Sequence, residues 1–188
     1  MLAGAIVPRP VALITTVGED GVFNVAPFSS INIAGIQPPL VVFEVSTRRD
    51  GRKKDTIRNI EFAKEFVVNI PLLESFAEAM NHAGFDFPPE VDEFKETGLT
   101  PVKADIVKVP MVGEAPVNFE CRLVKNLEFG QFPRISNLVI GEVVLAHIKD
   151  RLYVGGGIQS TKLKPIGRLL EPYCRTTDVF ELKVEYEL

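Results

Sequence analysis

The sequence predicts a mainly β protein, a single β-barrel domain decorated by a few short helices. Three observations carry that prediction. Short runs rich in β-branched and aromatic residues recur along the chain, separated by Gly, Pro and Asp turns. The helical stretches between them are short and show no regular strand–helix alternation, which argues against a parallel α/β sheet. No repeat, low-complexity tract or linker divides the 188 residues, and 46% apolar content supplies a core without disulfide staples.

The elements follow in order. Residues 11–17, Val-Ala-Leu-Ile-Thr-Thr-Val, form the first strand. The polar turn Gly18-Glu19-Asp20-Gly21 leads into a second over 22–29, making a hairpin. Residues 40–45 are a third strand, entered through Pro38-Pro39, which cannot donate ladder bonds. Asp55 or Thr56 caps a short helix through Ile57 and Ile60, and residues 66–70 form a buried strand stopped by Pro71. Leu72, Phe76, Ala79, Met80 and Ala83 share one helical face, closed by Gly84, and read as core rather than a cofactor box.

Pro88-Pro89-Glu90-Val91 opens another short helix that Gly98 ends. Val117, Phe119, Cys121 and Leu123 occupy one face of an alternating strand, with Asn118, Glu120 and Arg122 on the other. A long strand over 138–148 turns at Lys149-Asp150-Arg151 into 152–154. Gly155-Gly156-Gly157 reads as a turn, because no strand-to-helix GxGxxG context surrounds it. Residues 179–187 alternate and form a half-exposed terminal strand.

Charge and composition exclude several functions. Twenty-one Lys plus Arg against 25 Asp plus Glu leave a net charge of −4, unlike the strongly basic signature of a nucleic-acid binder. Cys121 and Cys174 form no CxxC pair; they read as thiols of a reducing compartment, with a single bridge left open. No apolar run approaches a membrane span, and the short apolar opening lacks a basic n-region and makes a poor signal peptide. The expectation is a cytoplasmic protein with neither nucleic acid nor membrane as partner. His82 and His147 are the two histidines, and no HExxH, Cys/His metal spacing, GxSxG elbow or GxxxxGK[ST] loop is present. No metal site is expected. The side chains lack equipment for a difficult chemical step, which points to a cofactor.

Two segments carry candidate chemistry. Arg48, Arg49, Arg52, Lys53 and Lys54 crowd together in an otherwise acidic chain, just before a predicted helix start. With the N–H groups of that start and the hydroxyls of Ser46 and Thr56 they would seat a phosphate; a solvated charged loop is the other reading of such a run. In residues 23–32 the strand pattern is broken by Pro27 and followed by small polar residues. That break is either an ordinary kink or an edge exposing backbone groups to a flat heteroaromatic ligand.

Taken in order, these segments resemble the flavin reductase-like family of FMN-binding split barrels, which includes the flavoredoxins. The resemblance rests on Pro8-Arg9-Pro10-Val11-Ala12-Leu13-Ile14-Thr15-Thr16, Asn24-Val25-Ala26-Pro27-Phe28-Ser29, Pro38-Pro39-Leu40-Val41, Lys54-Asp55-Thr56 with Asn59-Ile60, and Glu65-Phe66-Val67-Val68-Asn69-Ile70. It continues more loosely through Gly141-Glu142-Val143-Val144 and Pro165-Ile166-Gly167-Arg168 to Tyr173. It implies a split β-barrel of Greek-key type and a homodimer with FMN near the dimer interface.

The resemblance also implies roles. Thr15 and Thr16 would line the flavin edge, and Ala26, Pro27, Phe28, Ser29 and Ser30 would face the isoalloxazine and ribityl chain. Asn32 would stand at the pyrimidine end, and Ser46, Arg49, Lys54 and Thr56 around the phosphate. Arg168 and Tyr173 would approach from the C-terminal segment or the partner subunit. Asn24 and Asp55 read as turn and cap residues, and His147 as the end of a strand face. The implied activity passes electrons from NADH or NADPH through the flavin to free flavin, ferric iron or a redox partner. A non-enzymatic carrier of the flavoredoxin kind, or a ligand-binding barrel that has lost FMN, is the alternative.

Overall fold

The computed structural model of the chain describes residues 1–72, 79, 80, 82, 84, 85 and 87–181. A short helix α1 (Leu2–Ala5) and a two-residue strand β1 (Arg9–Pro10) precede the first hairpin, β2 (Ala12–Val17) with β3 (Phe23–Phe28). Its turn closes through the Gly21 N–H to the Gly18 carbonyl at 3.0 Å, with Gly21 at φ +82. A second antiparallel pair follows, β4 (Asn32–Gly35) with β5 (Leu40–Ser46). Then come α2 (Asp55–Ala63), β6 (Glu65–Ile70), α3 (Glu93–Thr97) and the small pair β7 (Pro101–Val102) with β8 (Met111–Val112). A long hairpin joins β9 (Val117–Gln131) to β10 (Arg134–Ile148). The chain continues through β11 (Tyr153–Val154), β12 (Gly157–Ile158), α4 (Ser160–Leu163), β13 (Ile166–Arg168) and β14 (Tyr173–Arg175).

Seven strands pair antiparallel in the order β3-β2-β6-β9-β10-β5-β4. β3 and β5 lie near opposite ends of that order, yet Phe28 and Phe43 meet with ring centroids 5.4 Å apart. Ser30, just beyond β3, holds both the N–H and the carbonyl of Glu44 at 3.1 Å. The sheet therefore curls back on itself as a barrel. Its inside is filled by Ala12, Ile14, Phe43, Val45, Phe66 and Val139, and α2 adds Ile57 and Ile60, all without solvent exposure. The outer face at Val67 is covered by Ala104, Val107, Val109 and Met111. Gly141 is needed where Phe66 crosses β10: a Cβ there would sit 2.2 Å from the ring. Among the described residues no helix is long and apolar enough to cross a membrane.

Several boundaries differ from the expectations. Lys54, not Asp55 or Thr56, is the N-cap of α2; Asp55 is its first residue and is held by Arg48 and Arg58. α3 starts at Glu93 rather than near Pro88, because the Asp92 carboxylate accepts the Phe94 N–H at 3.1 Å and fixes the start there. Asn24 is no turn residue but lies buried inside β3. The expected helix over 72–83 and the terminal strand over 179–187 fall largely outside the described residues, and 179–181 form no strand. The Gly155–Gly157 turn is as expected, both Gly155 and Gly156 taking positive φ between β11 and β12. Both cysteines are free thiols, and burial pushes Cys121 far above its ordinary pKa, so it behaves as core.

Candidate functional site

Two grooves meet on one side of the barrel. The first, about 230 Å³, runs from Ala26, Pro27 and Phe28 on β3 to Lys54 and Thr56 at the start of α2, with Phe85 and Phe87 opposite. The second, about 340 Å³, continues from Pro27, Phe28 and Ser29 past Phe85 to Arg168 and Tyr173. Pro27, Phe28, Gly84 and Phe85 line both. The two are one trough with a charged end and an aromatic end.

Local sequence builds each part. β3 is an edge strand of the large sheet, where Pro27 is tolerated although it gives no ladder donor. At the charged end Lys54 caps α2 with extended backbone and makes no side-chain cap bond. Its carbonyl accepts from Ile57 and Arg58 at 3.1 and 3.2 Å, which leaves the N–H groups of Asp55 and Thr56 without an intrahelical acceptor. Arg48 is held beside them by Asp55, 2.7 Å from Nη2 to Oδ2, and Arg58 grips the other carboxylate oxygen at 3.0 Å. Beneath lies a polar floor. The buried Glu93 accepts the Val25 N–H at 2.8 Å, and the buried Asn24 turns its amide nitrogen to Glu93 Oε1 at 3.3 Å. At the aromatic end the Arg168 guanidinium stacks on the Tyr173 ring, 4.4 Å from its centroid. β1 pins that wall by pairing Arg9 with Arg168, and Arg9 also donates to the Leu169 carbonyl at 2.9 Å.

Of the residues singled out from sequence, Ala26, Pro27, Phe28, Ser29, Lys54, Thr56, Arg168 and Tyr173 come together along the trough. Six stand apart from it. Thr15 and Thr16 are fully buried, Thr15 donating to the Pro110 carbonyl at 2.6 Å and Thr16 accepting from Asn59 at 3.1 Å. Ser30 is spent on Glu44, and Ser46 donates to the Glu44 carboxylate at 2.6 Å. Asn32 is exposed and accepts the Ile33 N–H, and Arg49 points into solvent while Arg48 beside it turns inward. Arg48, one of the five cations read as a phosphate seat, and Asn24, read only as a turn residue, also line the trough; Glu93, Phe85 and Phe87 line it and were not singled out. Adjacent arginines carry no sequence signal for which one faces in, and a Glu in a capped first helical turn reads as capping chemistry rather than as a groove floor.

The trough fits a phosphorylated flavin. Helix N–H groups, Lys54, Arg48 and the Thr56 hydroxyl suit a phosphate at one end; flat apolar walls and a guanidinium suit a heteroaromatic ring at the other. Residues 4–162 match the family described as "Flavin reductase like domain". The chain belongs to this family. Among solved structures it resembles nitrilotriacetate monooxygenase component B from Bacillus cereus, at 39% identity over 96% of this chain and 90% of that one, with TM-score 0.91. It also resembles Pseudomonas fluorescens 2-nitrobenzoate 2-nitroreductase NbaA, at 34% identity over 100% and 90% of the two chains, TM-score 0.88. Flavoredoxin of Desulfovibrio vulgaris (Miyazaki F) is 25% identical over 95% and 91%, TM-score 0.77. The flavin reductase-like barrel expected from the sequence is therefore the fold observed.

A second polar cluster lies away from the trough. Asp105, Glu120 and His147 bring their ligand atoms within 4.8 Å of one another. Glu120 is fully buried and accepts the N–H groups of Asp105, Ile106 and Val107 at 2.7–2.8 Å and the His147 ring at 2.6 Å. Burial alone would raise its pKa, yet these hydrogen bonds hold it below the ordinary value. Through these hydrogen bonds Glu120 fastens the 104–111 cover to β9. His147, expected only to end a strand face, is its partner in this role.

Proposed function

We propose that this flavin reductase-like protein is an FMN-dependent oxidoreductase that takes electrons from NADH or NADPH and passes them to free flavin, ferric iron or another redox protein. The observation that carries the reading is the trough itself, with an anion seat at the uncapped start of α2 continuous with an aromatic wall at Arg168 and Tyr173. Lys54, Arg48, the Thr56 hydroxyl and the first N–H groups of α2 would hold the phosphate. Pro27, Phe28 and Phe85 would sandwich the ring, and Asn24 and Glu93 would receive ribityl hydroxyls. Bound FMN would supply the redox chemistry, accepting two electrons as a hydride and releasing them to the acceptor. Arg168 would sit where negative charge builds on the reduced ring and favour it electrostatically.

The protein is expected to work in the cytoplasm as a homodimer. Exposed Ile33 on the edge strand β4 and Ile36 beside it support a second copy covering that edge. The test is optical: the purified protein, loaded with FMN and kept free of oxygen, is mixed with NADH or NADPH. Rapid bleaching of the yellow colour supports the reductase, and a yellow protein that does not bleach is a carrier instead. A protein that takes up no FMN contradicts both.

A further inference from the structure

A third pocket of about 290 Å³ lies at the other end of the β13–β14 hairpin, outside the flavin trough. Arg151, Lys162, Lys164 and Arg175 line it with Thr177, and among the described residues no carboxylate is in its wall. Among the described residues none of these four cations forms an ion pair. The basic stretch near α2 is different, since Arg48, Arg52, Lys53 and Arg58 are each matched to an Asp or Glu. In a chain of net charge −4, four unmatched cations sharing one pocket repel one another, and an anion there relieves the repulsion.

Separate segments are fixed around this pocket. Pro165 bridges to Leu72, and the Thr176 hydroxyl donates to the Pro165 carbonyl at 2.6 Å. The Gln159 N–H reaches the Leu152 carbonyl at 2.8 Å, fastening the Arg151 turn to the start of α4. Ile166 pairs with Arg175 across the hairpin. Lys164 leaves α4 in the left-handed region, φ +46, at the pocket wall.

We infer that this pocket seats a phosphomonoester on a nucleotide, the 2′-phosphate of NADPH, and selects that donor over NADH. A phosphomonoester carries close to two negative charges and three terminal oxygens, which several Lys and Arg side chains satisfy together. A pyrophosphate carries less charge per phosphorus and is typically held by backbone N–H groups at a helix start. Arg168 and Tyr173 pair two residues along the same hairpin from Ile166 and Arg175, a separation of about 7 Å at strand spacing. A dinucleotide with its adenosine end in this pocket lies along the hairpin and directs its nicotinamide to the aromatic end of the trough. The assignment to a hydride donor rests on the flavin function proposed above; the phosphate seat does not.

Calorimetric titration with 2′,5′-ADP and with 5′-AMP tests the seat without any flavin chemistry. The variant is Lys164→Gln/Arg175→Gln, which removes two exposed charges while keeping long side chains. The wild type is expected to bind 2′,5′-ADP on the order of tenfold more tightly than 5′-AMP, and the double variant to lose that preference. Equal binding of the two nucleotides by the wild type, or a preference that survives in the variant, overturns the inference. With FMN-loaded protein, the same substitutions are expected to raise KM for NADPH and leave KM for NADH and kcat unchanged. Protein that takes up no FMN contradicts the flavin function, and calorimetry still decides the phosphate seat.

Discussion

Lys54 carries the most specific claim at the scale of single residues. It has no capping oxygen to offer α2, which suits the proposed role of holding a phosphate at that helix start. Lys54→Ala is expected to weaken FMN by about 1.5–3 kcal/mol, the worth of a hydrogen bond to a charged group, and riboflavin hardly at all. Fluorescence titration with both flavins checks this; equal losses would remove Lys54 from the phosphate. Glu120 makes a separate prediction. Its pKa is lowered in the folded protein from an ordinary 4.5, so its stabilisation is complete above the unfolded value and is lost as pH falls through the folded one. Glu120→Gln should cost about 2–4 kcal/mol at neutral pH by urea unfolding and flatten the acid side of the stability–pH curve. An unchanged acid slope would mean that other carboxylates govern it. Sequence alone made Lys54 legible, because cations before a helix start have an obvious use. It could not show Glu120, whose burial depends on the 104–111 segment folding over an outward-facing position of β9.

Among the elements, the long β9–β10 hairpin does more than complete the sheet. Its end is fastened to the basic loop: the Thr47 N–H meets the Ile135 carbonyl at 2.9 Å, its hydroxyl donates to the Pro133 carbonyl at 2.7 Å, and Lys53 bonds Glu61 and Glu128 at 2.7 and 2.9 Å. Burial alone would lower the Lys53 pKa, and those two carboxylates hold it raised instead. The Phe132 ring lies against Gly51, which has φ +87 and where a Cβ would come within 2.2 Å of it. Gly51→Ala should therefore displace the loop and lower FMN affinity about tenfold, with a melting temperature close to wild type, since the loop is at the surface. Adding Phe132→Ala should recover only part of the affinity, because the φ cost remains; full recovery would assign the whole effect to the clash. The hairpin end was hidden in the sequence. Residues 124–137 are largely polar and alternate weakly, and their strand structure comes from pairing with each other and with β5, which is a non-local cause. β4 was hidden for the same reason: Asn32–Gly35 is too short to signal a strand and exists through its register with β5. The strands with dense β-branched content, β2, β5 and β6, were readable because burial, pattern and propensity agree there.

On the scale of the whole molecule, a net charge of −4 averages over two basic regions: the paired loop at α2 and the pocket at Arg151, Lys162, Lys164 and Arg175, unmatched among the described residues. Between them runs the trough, from its charged end to its aromatic end. The layout suits the proposed function, in which one phosphorylated cofactor and one phosphorylated donor would each meet one of these regions. Assembly belongs to the same scale. Sedimentation equilibrium is expected to give twice the 20.8 kDa chain mass, and a monomer at micromolar concentration would contradict the homodimer. The central claim is that the trough binds FMN and passes electrons from a nicotinamide donor. Anaerobic stopped-flow absorbance on FMN-loaded protein tests it most directly. The account predicts loss of the yellow flavin band on mixing with NADPH, faster than with free FMN. A band that persists, or protein that takes up no FMN, would contradict it.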